Sequence, residues 1–308
     1  MKIIRDIINL KLKNTAVAVG KFDGIHKGHR LIMEELKNSR KEGLLSVVFT
    51  FSRSPLEIIN HNNQKYILTG YEKYRFYEKS GIDVVVEYPM SDELINMSDK
   101  NFVKDILMEK LGTRKIICGN DFRFGYNRQG DIAFLKAMGI EFGYEVKVFH
   151  KLQDDRRDIS SSRIRNEILN GNIEKANDLL GYPYTIIGEV THGNELGRTI
   201  DFPTAYIVPD DDKLLPPNGV YFTRINIGKK DYDCVTNIGL KPTVSNMKKT
   251  GVETNIFDFS GDLYGELLEI RFYKYHRREK KFNNLDELKK QIINDALLCR
   301  DFFKKVET

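Results

Sequence analysis

The chain has 308 residues, is 41% hydrophobic and 30% charged, and carries a formal net charge of +5. That length accommodates two domains with separate cores, and the scattered Lys and Arg form no basic arm or stripe, which argues against a general nucleic-acid binder. Cys118, Cys234 and Cys299 are far apart, so neither a disulfide framework nor a CxxC zinc site is expected, and a reducing cytoplasm suits them.

The start, "MKIIRDIINLKLK", is broken by charge and lacks the apolar centre of a signal peptide. The best apolar run, "LLSVVFTF" (44–51), is well short of the ~20 residues needed to span a bilayer, so no membrane role is expected. Along the first half, short apolar runs alternate with amphipathic stretches. "TAVAV" (15–19) precedes "HRLIMEELKNSRKEG", then come "LLSVVFTF", "IDVVVEY" (82–88), "SDKNFVKDILMEKLG" (98–112) and "KIICG" (115–119). In the 98–112 segment Phe102, Val103, Ile106 and Leu107 recur at helical spacing behind Ser98, a plausible N-cap. Runs apolar on both faces indicate buried parallel strands, hence an open α/β sheet with helices on both sides.

After about residue 183 the texture changes. "YTIIGEV", "VYFTRINIG", "DYDCVTNIG", "VETNIFDF" and "LLEIRFYKY" are β-branched and aromatic, with Gly, Asn, Asp and Pro between them, which predicts an antiparallel barrel. The last segment, "LDELKKQIINDALLCRDFF", predicts a terminal helix whose apolar face is Leu285, Leu288, Ile292 and Leu297 or Leu298.

Two stretches carry anion-binding chemistry. "GKFDGIHKGH" (20–29) follows the first apolar run, where an open sheet binds ligands beyond its strand ends. A helix starting near Gly28 would aim backbone N–H groups at that spot, Gly28 would allow close approach, and His26 and His29, three apart, would share one side of the first turn. "ISSSRIR" (159–165) joins three hydroxyls to Arg163 and Arg165, donors that match phosphate oxygens. An ordinary N-cap explains the serines equally, and surface placement explains the histidines; the two motifs together favour a phosphate site.

With "GNDFRFGYNRQGD" (119–131), these motifs make the chain resemble, over essentially its whole length, the prokaryotic bifunctional riboflavin kinase/FAD synthetases within the nucleotidyltransferase superfamily. The resemblance implies a Rossmann-like nucleotidyltransferase domain over 1–183, moving AMP from ATP to FMN with release of pyrophosphate. Over 184–308 it implies a riboflavin kinase-like antiparallel β-barrel with a terminal helix, which phosphorylates riboflavin. In the first domain it implies His26 and His29 as catalytic groups. It places Gly20, Phe22, Gly28, Ser161, Ser162, Arg163 and Arg165 around ATP, and Asp121 and Phe122 at the flavin.

In the barrel the resemblance implies Gly193, Gly197 and Arg198 as an ATP loop ahead of "FPTAY", Thr204 as a Mg²⁺ ligand and Glu253 as the base for the riboflavin hydroxyl. ATP, riboflavin and FMN are the implied small-molecule partners. The chain departs from the pattern in two places. "TFSRSP" (50–55) has Arg53 and Ser54 where the family has Pro-His, and Tyr206 and Asp201 stand in for an asparagine and a glycine. A phenol is a poor Mg²⁺ ligand, so an adenylyltransferase with an inactive barrel is the first alternative. The HxGH and Ser-rich pair is also similar to class I aminoacyl-tRNA synthetases, so a non-catalytic flavin- or RNA-binding regulator is the second.

Overall fold

The computed structural model describes residues 1–5, 7–51, 65–89, 91–191, 204–242 and 248–307. The chain divides into two compact units, Met1–Ser161 and Ser162–Thr308.

The first unit is built on a six-stranded parallel sheet: β1 (Lys2–Ile4), β2 (Thr15–Val19), β3 (Leu45–Phe51), β4 (Val84–Tyr88), β5 (Thr113–Gly119) and β6 (Glu145–Phe149). Their spatial order is β1-β4-β3-β2-β5-β6. From β2 the chain winds through β3 to β4, then crosses back beyond β2 to β5. That reversal makes the β2/β5 carboxyl edge the switch point, the place where such sheets bind ligands. β2 is buried along its whole length, as an apolar run between two helical layers must be.

On one sheet face Val17, Val19, Val47, Phe49, Val86, Ile116 and Cys118 form the core with the segment 102–111. Each such side chain contributes about 1.5–3 kcal/mol on burial. Ser98 caps the segment as expected, accepting from Asn101 N–H at 3.1 Å. Beyond one α turn the winding becomes π over α3 (Phe102–Lys110), with Leu111 N–H reaching the Ile106 carbonyl. Phe102, Val103, Ile106 and Leu107 are buried. On the other face α1 (Lys27–Ser39) buries Ile32, Met33 and Leu36. It is pinned by the buried Lys115 of β5, whose Nζ lies 3.0 Å from Glu35 and 2.9 Å from Glu42. α2 (Gly70–Lys79) opens with a capping box between Thr69 and Glu72, and α4 (Ile132–Phe142) is capped by Asp131.

The division falls one residue into α5 (Ser161–Leu169), and α6 (Ile173–Leu180) follows in the second unit. α6 belongs with the barrel because Asn177 bridges it: its amide donates to the Phe272 carbonyl and its oxygen accepts from Tyr184 N–H. The barrel has six antiparallel strands: β7 (Tyr184–Thr191), β8 (Thr204–Ile207), β9 (Gly219–Ile227), β10 (Lys230–Pro242), β11 (Lys248–Ile256) and β12 (Leu267–Arg277). They close in the order β8-β11-β10-β9-β12-β7. A chain of buried hydroxyls, Thr223 to Thr236 at 2.7 Å and on to Thr254 at 2.9 Å, crosses three strands, each satisfying the next.

The terminal helix α7 (Leu285–Glu307) is present, but its buried face differs from the expected one. Leu285, Leu297 and Leu298 are exposed, while Asp295, Cys299 and Phe303 are buried. The cause is a polar anchor. Asp295 accepts from Arg277 Nη2 at 2.7 Å and from Gln291 Nε2 at 2.8 Å, with His276 Nε2 3.2 Å away. A paired carboxylate thus fills the position that an apolar periodicity would assign to leucine.

Candidate functional site

The loop "GKFDGI" between β2 and α1 is held under backbone strain. Phe22, Gly24 and Ile25 all have positive φ (48°, 76° and 33°), a region that costs a β-branched residue most. Asp23 supports it from beneath. Its buried carboxylate accepts from Ile67 N–H at 2.9 Å and Leu68 N–H at 3.3 Å. Its carbonyl accepts from Ser161 Oγ at 2.8 Å. Ser161 is therefore tied to the His-bearing loop through that bond.

α1 starts at Lys27, so His26 is its N-cap, with extended backbone and no side-chain capping bond. The rings of His26 and His29 stack with centroids 3.7 Å apart and planes 19° apart. The Phe22 ring meets His29 edge-on at 5.2 Å. The Nδ1 atoms of both histidines are buried without a hydrogen-bond partner. Such a loss is expensive unless something else supplies the partner. Burial pushes His26 down to about 4 and His29 well below its usual range, and His26 also lowers His29. Both rings are consequently neutral at pH 7. At Gly28 a Cβ would stand 3.3 Å from His26 Cε1, tight enough that the ring would have to give by a few tenths of an ångström. At Gly20 a Cβ would stand 3.0 Å from the Phe22 ring.

Across the switch point, the ends of β5 and β6 bring in an ion chain. Lys151 Nζ lies 3.0 Å from Asp121 and 3.6 Å from Asp158, and its bond to Asp121 is the main reason its own titration is pushed up. Asp121 counteracts and Lys151 adds to the lowering at His26. Phe122 stacks on Phe124 at 5.4 Å. On α5, Ser162 is exposed, while Arg163 and Arg165 are half-buried to either side of the core residue Ile164.

In the barrel unit the sequence candidates Thr204 and Glu253 meet directly: Thr204 Oγ1 donates to Glu253 Oε1 at 2.9 Å. The two strands pair so that Tyr206 stands directly opposite Glu253. Gly193, Gly197, Arg198, Asp201, Arg53 and Ser54 lie outside the described residues. Sequence reasoning missed Asp23 and Lys151. An aspartate between Phe22 and Gly24 was the available signal for the first; Lys151 had none, because its partner Asp121 follows another strand.

These features define a two-unit protein whose parallel sheet presents a stacked imidazole pair with unpartnered nitrogens at its switch point, joined to a barrel with its own polar cluster. The family model described as FAD synthetase matches residues 8–163, and that described as riboflavin kinase matches residues 180–303. Curated relatives called bifunctional riboflavin kinase/FMN adenylyltransferase match along both full chains. The Escherichia coli K12 protein is 36% identical over 98% of each chain. That of Buchnera aphidicola from Acyrthosiphon pisum is 38% identical over 98% of each chain. The Listeria monocytogenes protein is 33% identical over 96% of this chain and 94% of its own. A solved structure described as a macrolide-efflux protein from Streptococcus pneumoniae superposes with a TM-score of 0.85 at 31% identity, covering 97% of this chain and 98% of that one. No helix among the described residues is long and apolar enough to cross a membrane. The chain belongs to the bifunctional riboflavin kinase/FMN adenylyltransferase family.

Proposed function

We propose that the chain makes FAD in two steps: the barrel phosphorylates riboflavin to FMN with ATP, and the sheet unit transfers AMP from a second ATP to FMN. The observation that carries the reading is the stacked His26–His29 pair, buried at the switch point with both Nδ1 atoms unpartnered. Full-length similarity to relatives named for both activities supports it.

In adenylylation an FMN phosphate oxygen attacks the α-phosphorus of ATP, and pyrophosphate departs from the opposite side. The protein's task is to align two anions and absorb charge as it grows. His26 and His29, at the N-terminus of α1, hold the ATP phosphates with the backbone of Gly20, Phe22 and Gly28 around them. Ser162, Arg163 and Arg165 hold the leaving pyrophosphate, and Ser161 ties their helix to the ATP loop through the Asp23 carbonyl. Support for this group is the continuity of one helix whose first hydroxyl is already bonded to the His-bearing loop. Asp121, oriented by Lys151, and Phe122 serve the flavin end.

In the barrel, Glu253 takes the proton of the riboflavin 5′-hydroxyl as that oxygen attacks the γ-phosphorus. Thr204 orients Glu253 by donating to it, and the Thr204 hydroxyl oxygen would help hold a divalent cation. The pair's hydroxyl and carboxylate oxygens suit Mg²⁺, which prefers hard oxygen ligands, and bound Mg²⁺ supplies charge neutralisation on the phosphates. Gly193, Gly197 and Arg198 are the loop proposed to cover ATP. ATP, riboflavin and FMN are the partners, with no nucleic acid or membrane; three free, buried cysteines fit a reducing cytoplasm.

The test is chromatographic analysis of products with each flavin offered separately alongside ATP and Mg²⁺. Riboflavin should yield FMN and then FAD, and FMN should yield FAD with pyrophosphate. FAD from FMN but no FMN from riboflavin would leave an adenylyltransferase on an inactive barrel. No turnover of either, with salt-sensitive RNA binding, would leave a regulator.

A further inference from the structure

On the outer face of the barrel, three residues stand in one row across three strands. Tyr206 of β8 is directly opposite Glu253 of β11, and Glu253 is directly opposite Asn237 of β10. Opposed residues on antiparallel neighbours project to the same side, with Cβ atoms about 4.5–5.5 Å apart. The intervening residues Val252, Thr254, Thr236 and Ile238 are fully buried inside the barrel, which fixes the row on the outside.

Tyr206 does not roof this row. Its ring lies along the strand on Gly251, where a Cβ would collide with the phenol. Gly251 in turn stands opposite Gly239, and the Glu279 carboxylate rests where a Gly239 Cβ would be. Two opposed glycines thus make a bare floor that seats an aromatic ring from one side and a carboxylate from the other. Thr204, on the other side of Tyr206 and opposite Asn255, keeps its bond to Glu253.

Glu279 has a second contact. Asn237 Nδ2 donates to its Oε1 at 3.1 Å. One N–H of that planar amide is therefore engaged by Glu279, which fixes the amide plane on a residue that stands directly opposite Glu253. This gives the "REKKF" stretch (278–282) a physical task that its sequence alone did not disclose.

We propose that Asn237, oriented by Glu279, supplies the neutral amide oxygen through which the barrel holds its divalent cation, the ligand that Tyr206 is unable to provide. The inference rests on the kinase reading of the barrel. Thr204, Glu253 and Asn237 then present a hydroxyl, a carboxylate and a carbonyl oxygen from three adjacent strands, a donor set of the hard kind that Mg²⁺ takes while retaining waters. Glu279 is a positioning residue, acting through the amide it holds.

The experiment uses the full chain with saturating ADP and riboflavin. Mn²⁺ binding is followed by electron paramagnetic resonance, and the Mg²⁺ dependence of FMN formation is measured beside it. Asn237→Ala should weaken one class of Mn²⁺ sites by ~10-fold or more and raise the half-saturating Mg²⁺ for FMN formation by a similar factor. FAD formation from FMN should not change. Glu279→Ala, at an exposed position where folding is not at stake, should move the same two readings in the same direction by less, with kcat at saturating Mg²⁺ near wild type. Adding Tyr206→Asn to Asn237→Ala should restore the wild-type metal response. Unchanged Mn²⁺ affinity in both single variants overturns the assignment. A wild-type chain that forms no FMN, yet loses Mn²⁺ sites on Asn237→Ala, would instead remove the kinase reading and keep the metal site.

Discussion

The two sites solve the problem of holding polar groups ready in opposite ways. In the sheet unit, the groups come from loops at strand ends, and the His26 and His29 Nδ1 atoms are left buried and unpartnered beside a loop with three positive φ angles. In the barrel Thr204, Glu253 and Asn237 project from strands and have partners, Thr204 with Glu253 and Asn237 with Glu279 just beyond β12. The first site stores unfavourable free energy that a ligand can release. The second is held in place by its own hydrogen bonds, which fix the donors without strain. A parallel sheet concentrates backbone N–H groups and loop freedom at one edge, whereas a closed barrel offers rigid faces on which side chains meet their neighbours.

The sharpest way to break this comparison is a reciprocal pair of substitutions. Glu253→Gln should reduce FMN formation from riboflavin by ~10²–10⁴-fold, the range for loss of a general base, and leave FAD formation from FMN near wild type. His29→Ala should reduce FAD formation by ~10²–10³-fold, as for a lost group that stabilises developing charge, and leave FMN formation intact. Separate assays with each flavin check both. Equal loss of both activities from either variant would mean that the two sites are not independent.

Next in size is the terminal helix. Asp295 is 2% exposed at its side chain and is shared by Arg277, His276 and Gln291. Asp295→Ala should destabilise the barrel unit by about 3 kcal/mol, because Arg277 loses its buried counter-charge. Denaturant titration should show this loss in the barrel, and FAD formation from supplied FMN should persist. This anchor also marks where the sequence stopped being legible. Strand runs such as "TAVAV" and the His26–His29 pair could be read because their meaning is local: period, burial and spacing lie within ten residues. The buried face of α7 could not, since Asp295 is buried only because Arg277 arrives from β12. The seat of Tyr206 was hidden in the same way, being made by Gly251 on another strand. Asp121 looked like a turn cap until β6 delivered Lys151.

The imidazole stack should also give the sheet unit a characteristic pH response. Burial lowers His26 to about 4 in the folded chain, below its ordinary 6.5, with Asp121 opposing and Lys151 assisting. The unfolded chain therefore binds the proton first as pH falls. The stabilisation is present above about 6.5 and is lost on acidification toward about 4, at on the order of 1 kcal/mol per pH unit for this group. Thermal denaturation from pH 7.5 to 5 should fall less steeply in His26→Asn than in the wild type. Equal slopes would mean that the ring is not held neutral by its surroundings.

The smallest effect should come from Ser161→Ala, and it refines what a strained site requires. Ser161 Oγ donates to the Asp23 carbonyl, while the Asp23 carboxylate takes two N–H groups from residues 67 and 68, so the loop is supported at both ends of one residue. Removing the hydroxyl deletes one neutral hydrogen bond, worth about 1 kcal/mol, and leaves the carboxylate clamp in place. The histidines should remain stacked, so kcat for FAD formation should change little. The loop holds Phe22 and Ile25 in unfavourable backbone conformations, and with one support gone it should sample relaxed ones between binding events. That places the cost on ATP binding: KM for ATP should rise several-fold at nearly constant kcat. A fall in kcat with unchanged KM would instead assign the Ser161 hydroxyl to the departing pyrophosphate rather than to the loop.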